Sequence, residues 1–411
     1  GAEGTGLGGL EFGFNDQLMG QDGKLTVERV NGREIPASER QSIDPVNGLS
    51  VRLTLDSNLQ AMLEKSLGDQ VIATGAEGGV AVIMEPGTGN ILAMATYPTF
   101  DPNNPFATDD KSKRNTAVTD VFEPGSTSKV MTMASVIEEG GANAGTQYTV
   151  ENRISRGGTS FKDYVDHPTL RLTLAGVLAK SSNIGTIMAS ESIGEKKLYE
   201  YLQKFGIGQS TGMNFPGESG GKLPDINNEN EWSDTTFPTL AFGQGLSVNA
   251  VQTTSVFATI ANDGVRMLPR LIAGYSNTEG VYEPTMIDEG VRVVSPETAK
   301  TVREMLEGVV SEDGTAKNMQ IPGYRVGGKT GTANRYDEAT GGYSGYTSSF
   351  IGMAPAEKPA LVMSVSIHNP KTSTYGSVVA GPVFKKVMTY ALAHKKVPPS
   401  TTKPPKLPVE W

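Results

Sequence analysis

The spacing of hydrophobic positions changes several times along the 411-residue chain, and each change marks a different kind of element. Residues 1–50 are rich in Gly and polar residues. Their short strand-like pieces, such as "KLTVERV", carry too little apolar material for an independent core. From Leu53 the pattern tightens: "LDSNLQAMLEKSL" sets Leu59, Met62, Leu63 and Leu67 on one helical face, with Asp56 or Ser57 as the N-cap. "GGVAVIMEPGTGNILAMATYP" then reads as two apolar strands joined by the turn "EPGTGN". Residues 105 to about 265 read as mostly helical pieces broken by Gly, Pro and Asn loops. "GGKTGTAN", "YTSSFIGMAP" and "ALVMSVSIHNP" add three strand-like runs. Phe384, Val387, Met388, Ala391 and Leu392 in "FKKVMTYAL" return to helical spacing.

Two strands, a long helical block, three strands and a closing helix fit one antiparallel sheet flanked by helices, with an inserted helical subdomain, an α+β arrangement. The tail "KKVPPSTTKPPKLPVEW" carries five prolines and is expected to be extended and mobile. There are no internal repeats.

Composition narrows the chemistry. A net charge of -9 with no basic stripe argues against nucleic acid as a partner. The chain has no cysteine, which removes disulfides, thiolate zinc sites and a Cys nucleophile together. Its three histidines, His167, His368 and His394, are scattered and give a metal site no support, so ordinary surface or structural roles are expected. No apolar run approaches the ~18 residues that cross a bilayer. The start lacks Met and any signal-like pattern, as expected of a soluble piece of a longer protein.

Two chemical readings compete for "GYRVGGKTGTAN". Gly323 to Thr330 fits the phosphate-loop pattern G-x-x-x-x-G-K-[ST], which requires a helix directly after the loop. The following "TGTANRYDEATGG" has no helical periodicity, so the stretch reads instead as a strand of the meander. "FEPGSTSKVMTMASVIEEGG" supplies a nucleophile and a base: Ser126 and Lys129 at i and i+3 of a helix starting near Ser126, about 4.5 Å apart along its axis and on one face. A serine there has the backbone N–H groups and positive dipole end of the helix beside it. The tetrad recurs at Ser400–Lys403 among prolines, so it is weak evidence alone. Ser-x-Asn also occurs twice. At Ser181 and Asn183 the apolar phase slips, as in a loop joining two helices; at Ser247 and Asn249 a helix begins, with either residue as its cap. The first is preferred as a site. "GESGG" (Gly217–Gly221) matches G-x-S-x-G but has no strand before it or helix after it.

Ser126-x-x-Lys129, Ser181-x-Asn183 and Lys329-Thr330-Gly331, in that order, resemble the motifs of penicillin-binding proteins and serine β-lactamases. "GNILAMATYPTFDPN", "RNTAVTDVFEPGSTSK", "AKSSNIG", "FGIGQSTGMNFPGESGG", "AFGQGLSVNAVQTTSVFATIANDGV" and "VGGKTGTA" extend the likeness to class B penicillin-binding proteins of the septal, FtsI-like branch. Even "GLGGLEFGFNDQLMG" is similar to the end of that family's pedestal, so only the tail stands outside. The resemblance implies a remnant of an N-terminal pedestal domain at 1–50, a transpeptidase domain with a five-stranded sheet at 51–395 and a Pro-rich tail at 396–411. It implies a D,D-transpeptidase that cross-links peptidoglycan stem peptides ending in D-Ala-D-Ala, is acylated by β-lactams, and needs no cofactor or metal.

In that family's terms Ser126 is the nucleophile, Lys129 the base and Ser181 the proton relay. Asn183, Lys329, Thr330, Gly331 and Thr332 bind substrate: Lys329 faces the terminal carboxylate with the Thr330 and Thr332 hydroxyls as donors, and Gly331 lets substrate lie along the strand edge. The backbone N–H groups of Ser126 and Thr332 form the oxyanion hole. The resemblance also implies a site outside the cytoplasmic membrane, a transmembrane anchor preceding this chain, and an FtsW-type glycan polymerase and divisome proteins as partners through segments not present. The alternatives are a serine β-lactamase, for which no E-x-x-L-N pattern follows the second motif, and a β-lactam sensor or non-catalytic division scaffold of the same fold.

Overall fold

The computed structural model describes residues 4–35, 39–104, 107–277, 279–337 and 342–411. They form two compact units. The first gathers Gly1–Thr54, Asn214–Gly217 and Arg270–Ile287. Its three-stranded sheet runs Tyr282–Pro284, Ile272–Ser276, Ser50–Leu53 in space. Thr54 ties its ends together, donating through Oγ1 to Arg270 O at 3.0 Å and through N–H to Leu271 O at 2.8 Å. Leu25, Val30, Ile43 and Val46 remain exposed, in keeping with the sparse apolar content of this stretch.

The second unit comprises Leu55–Met213, Glu218–Pro269 and Asp288–Trp411. Helix α1 (Ser57–Thr74) opens it. Asp56 is the cap, its carboxylate accepting from the N–H groups of Asn58 and Leu59, and Leu59, Leu63 and Leu67 are fully buried while Met62 is half-buried. Strands β1 (Gly78–Met84) and β2 (Ile91–Tyr97) form the expected hairpin. Gly125–Ser128 is a 3₁₀ turn, and helix α2 (Lys129–Glu138) begins only at Lys129, one turn later than the sequence suggested.

The block read as helical contains two short ribbons that the periodicity did not announce: β3 (Gln147–Val150) pairs with β6 (Leu170–Thr173), and β4 (Arg153–Arg156) with β5 (Thr159–Lys162). Four-residue strands offer too few alternations to stand out against helical neighbours. Helices α3 (Leu174–Lys180), α4 (Asn183–Ser190), α5 (Ala250–Ala261) and α6 (Pro296–Val310) follow. Strands β7 (Gly327–Asp337), β8 (Gly342–Ala354) and β9 (Leu361–His368) and helix α7 (Gly381–His394) complete the unit.

The strands make one antiparallel five-stranded sheet in the order β7-β8-β9-β1-β2, so β7 is an edge. Phe350 pairs across β8 and β9 with Val365, and Ile351 with Ser364; neighbouring pairs point to opposite faces. The Phe350 ring lies 4.7 Å from Phe384 of α7, whereas the Ser364 hydroxyl is 2.6 Å from that of Thr254 in α5. Helices α7 and α5 therefore cover opposite faces. Every residue of α5 is buried. Asn249 caps it in a reciprocal pair with Gln252, the structural role expected of the second Ser-x-Asn.

The tail is extended, as expected, but it is held against the domain. Tyr324 donates to Val397 O, Ser400 N–H to Gly323 O, Arg325 to Thr402, and Trp411 N–H to Arg171 O. Its backbone groups and the Thr402 hydroxyl find partners on the domain surface, which composition alone cannot foretell.

Candidate active site

Gly323–Thr330 runs into strand β7 with strand β8 after it, so the phosphate-loop geometry is absent. What β7 offers follows from its period of two. Lys329 and Gly331 pair with Ile351 and Ser349 and share the face covered by α5, while Thr330 and Thr332 pair with Phe350 and Ser348 and project from the other.

The serine turn packs against this edge. Gly125 holds φ 53, a left-handed conformation, and a Cβ there would lie 3.0 Å from the Ala333 Cβ, so glycine serves both the turn and the close approach. A Cβ on Gly331 would meet Thr127 Cγ2 at 2.9 Å and Pro124 O at 3.1 Å. The position thus keeps the strand tight against the turn that carries Ser126. The space opposite Gly331 belongs to the protein itself, a different reason for glycine from a substrate lying along the strand edge.

Ser181 sits at the junction of α3 and α4. It is the C-cap of α3 at φ 61, and Ser182 caps α4 by accepting from Gly185 N–H at 2.9 Å. This is the two-helix junction that the slip in apolar phase suggested. The side chains of Lys129 and Lys329 are both fully buried and meet at Ser181. Lys129 Nζ donates to Ser181 O at 2.6 Å and to Asn183 Oδ1 at 2.7 Å, and lies 3.4 Å from Ser181 Oγ. Lys329 Nζ donates to Ser181 Oγ at 2.8 Å and to Thr330 O at 3.1 Å.

Burial disfavours charge on both amines. It pushes Lys129 down from 10.5 to about 7, opposed by the negative field of Asp163. Lys329 is pushed well below its ordinary value by burial and then by the charge of Lys129. Two ammonium groups on one hydroxyl repel each other at close range in a dry site.

The half-buried Ser126 opens on a cleft of 340 Å³ lined also by Ser181, Asn183, Thr330 and Thr332. The structure therefore brings all three motifs to one place. Two details differ from expectation. Lys329 is fully buried with its amine donating to Ser181 Oγ, and the Thr332 hydroxyl donates to Thr374 O at 3.0 Å, so its proton is already committed. The Thr330 hydroxyl is 3.0 Å from that of Thr315.

Asp163, Tyr164, His167, Gln244 and Tyr375 also line the cleft, and none belongs to a motif. "KDYVDHP" has no periodicity or spacing that signals a site; chain folding alone delivers it. Tyr164 reaches across to Thr374, hydroxyl to hydroxyl at 2.9 Å, and its ring meets Tyr375 edge-on.

The other histidines are structural: His368 is a half-buried β9 residue whose pKa is pushed down to about 4 by desolvation, and His394 contacts the Asp56 carboxylate at 2.9 Å. No cluster of three potential metal ligands occurs among the described residues. A larger cavity of 1080 Å³ lies beside the tail, lined by Glu307, Arg325 and Lys403 among others, and holds none of the motif residues.

A buried lysine pair converging on one serine, with a second serine on a turn at the edge of a five-stranded antiparallel sheet, defines the serine–lysine class of site. The chain belongs to the penicillin-binding protein transpeptidase family: the model described as "Penicillin binding protein transpeptidase domain" matches residues 79–389. It is 37% identical to penicillin-binding protein PbpB of Mycolicibacterium smegmatis over 99% of this chain and 64% of that protein. It is 34% identical to the probable peptidoglycan D,D-transpeptidase PenA of Neisseria flavescens over 98% of this chain and 97% of that protein. The crystal structure of Mycobacterium tuberculosis penicillin-binding protein 3 complexed with ampicillin superposes with a TM-score of 0.89 at 35% identity, covering 99% of this chain and 88% of that one. The chain thus spans a little under two thirds of the PbpB of M. smegmatis. No helix among the described residues is long and apolar enough to cross a membrane.

Proposed function

We propose that the protein is a peptidoglycan D,D-transpeptidase working through a Ser126 acyl-enzyme. The observation that carries this reading is the placement of the Lys129 amine. Its two short contacts are carbonyl oxygens, which only accept. A neutral amine satisfies both with its two N–H groups and keeps a lone pair. With its pKa near 7 that neutral form is accessible at physiological pH. Ser126 Oγ then bonds to the carbonyl carbon of the penultimate D-Ala as Lys129 takes its proton. The backbone N–H groups of Ser126 and Thr332 receive the oxyanion. The proton passes through Ser181, already bonded to Lys329, to the nitrogen of the terminal D-Ala, and the C–N bond breaks. A primary amine from a second stem peptide reverses the sequence and forms the cross-link.

Lys329 serves the terminal carboxylate through its field at close range. An anion bound in the cleft favours the proton on Lys329, which leaves Lys129 neutral. Asn183 orients Lys129 through its side-chain oxygen. Thr330, Gly331 and Thr332 complete the substrate edge, with Gly331 acting by letting the serine turn approach.

β-Lactams resemble the D-Ala-D-Ala end and acylate the same hydroxyl. The names of PenA of N. flavescens and of the ampicillin complex support that substrate and inhibitor class. Likeness to the FtsI-like branch supports a septal role at the outer face of the cytoplasmic membrane, with an FtsW-type polymerase as partner, an N-terminal membrane anchor, and residues 1–50 as a remnant of the pedestal. The test is intact-mass spectrometry after benzylpenicillin: one adduct of whole-drug mass, located on Ser126 and stable for many minutes, is expected. Absence of an adduct on folded protein refutes the reading, and release within seconds turns it towards a β-lactamase.

A further inference from the structure

The loop between β5 and β6 brings a carboxylate beneath the helix that starts with Asn183. Asp163 is buried, and its Oδ1 accepts from the N–H groups of Asn183 at 2.5 Å and Ile184 at 3.0 Å. These are first-turn donors of α4 that no intrahelical carbonyl can satisfy. The preceding residue holds the same asparagine a second time: Lys162 O accepts from Asn183 Nδ2 at 3.0 Å. With Nδ2 so occupied, Oδ1 is turned to Lys129. Behind the carboxylate stands His167, its Nε2 3.0 Å from Asp163 Oδ2 and its Nδ1 2.7 Å from Pro168 O. The ring is pinned at both nitrogens and backs the carboxylate against the helix.

We propose that Asp163, backed by His167, is a positioning residue for acylation: it fixes the start of α4 so that Asn183 and Ser181 hold the Lys129 amine in place. The inference rests on the acyl-enzyme reading above. The hydrogen bonds of Asp163 run to Asn183, Ile184 and His167 rather than to Ser126 or Lys129, and it acts in two ways. Mechanically, it anchors the backbone of Asn183 while Lys162 aims the amide. Electrostatically, its charge opposes the effect of burial on Lys129. The charged or titratable groups about this spot are Lys129 and Lys329 within the site, His167 against Asp163, and Tyr164 and Lys180 lining the cleft, with Lys162 adjacent in sequence.

A near-isosteric Asp163→Asn keeps an acceptor for the helix but removes the charge, so Lys129 loses its proton at lower pH. Asp163→Ala also removes the anchor.

The experiment measures the second-order rate of acylation by benzylpenicillin between pH 5 and 9 on the whole chain. It compares wild type, Asp163→Asn, Asp163→Ala and, as control, Ser295→Ala, which removes the N-cap of α6 and a hydrogen bond to Glu138 at the C-terminal end of α2 while leaving every residue that lines the cleft in place. The rising limb of Asp163→Asn is expected to move acid-ward by about one pH unit. The plateau of Asp163→Ala is expected to fall about tenfold or more. Ser295→Ala should lower Tm with limb and plateau unchanged. If Asp163→Ala does not fold, the limb of Asp163→Asn decides alone. Wild-type limb and plateau in the Asp163 variants, with wild type readily acylated, overturn the role of Asp163 only. A wild type that is not acylated overturns the acyl-enzyme reading and this inference with it.

Discussion

Replacing Lys129 by Met separates the cost of the buried amine from its chemical use. Burial moves this amine from 10.5 to about 7, which opposes folding at neutral pH by roughly 5 kcal/mol. Met has nearly the same volume and no charge, so the opposition disappears. In exchange Ser181 O and Asn183 Oδ1 lose their donor, at about 1–3 kcal/mol each. The two effects are of one size, and Lys129→Met should fold with a Tm within about 5 °C of wild type. Acylation loses its proton acceptor and should slow by about 10²- to 10⁴-fold.

The pH dependence carries a definite sign. Between about 7 and 10.5 the unfolded chain keeps the Lys129 proton while the folded chain has released it, so this group makes wild-type stability rise with pH across that window. In Lys129→Met the slope should be smaller by up to about 1.4 kcal/mol per pH unit. The assays are urea unfolding at several pH values and stopped-flow acylation with a chromogenic cephalosporin. A folded Lys129→Met acylated within tenfold of the wild-type rate refutes the assignment of the base.

Further outcomes follow from the packing around the site. Gly331→Ala puts a methyl group 2.9 Å from Thr127 Cγ2 and 3.1 Å from Pro124 O, so the serine turn must retreat from β7. A loss of about 1–3 kcal/mol in stability is expected, with a clear fall in acylation rate; an unchanged rate shows that the turn accommodates the methyl group. Arg325 donates to the buried Glu307 carboxylate at 2.6 and 2.9 Å and to Thr402 of the tail, and its backbone N–H donates to Ser400. Arg325→Met leaves that carboxylate unpaired and should cost about 3–5 kcal/mol in chemical denaturation, while Ser126 remains open to penicillin. A drop under 1 kcal/mol sinks this account of the pair.

Much of the architecture was written in local pattern. The face of Leu59, Leu63 and Leu67, the cap at Asp56, the "EPGTGN" hairpin and the closing helix from Phe384 to Leu392 each depend on side-chain periodicity within one turn or one strand pair. The motif residues were legible for a similar reason: Ser126 with Lys129, Ser181 with Asn183, and Lys329 each sit in short runs whose spacing limits how they can be displayed. Long-range geometry decided the rest. The ribbons β3–β6 and β4–β5 are too short to signal themselves, and the tail is held by its backbone groups and the Ser400 and Thr402 hydroxyls against partners that only folding brings near. Only folding brings Asp163 under Asn183, and only folding buries Lys129 and Lys329 against the same serine. Periodicity records which side of an element is apolar; the protonation state of an amine depends on what distant segments exclude water from it.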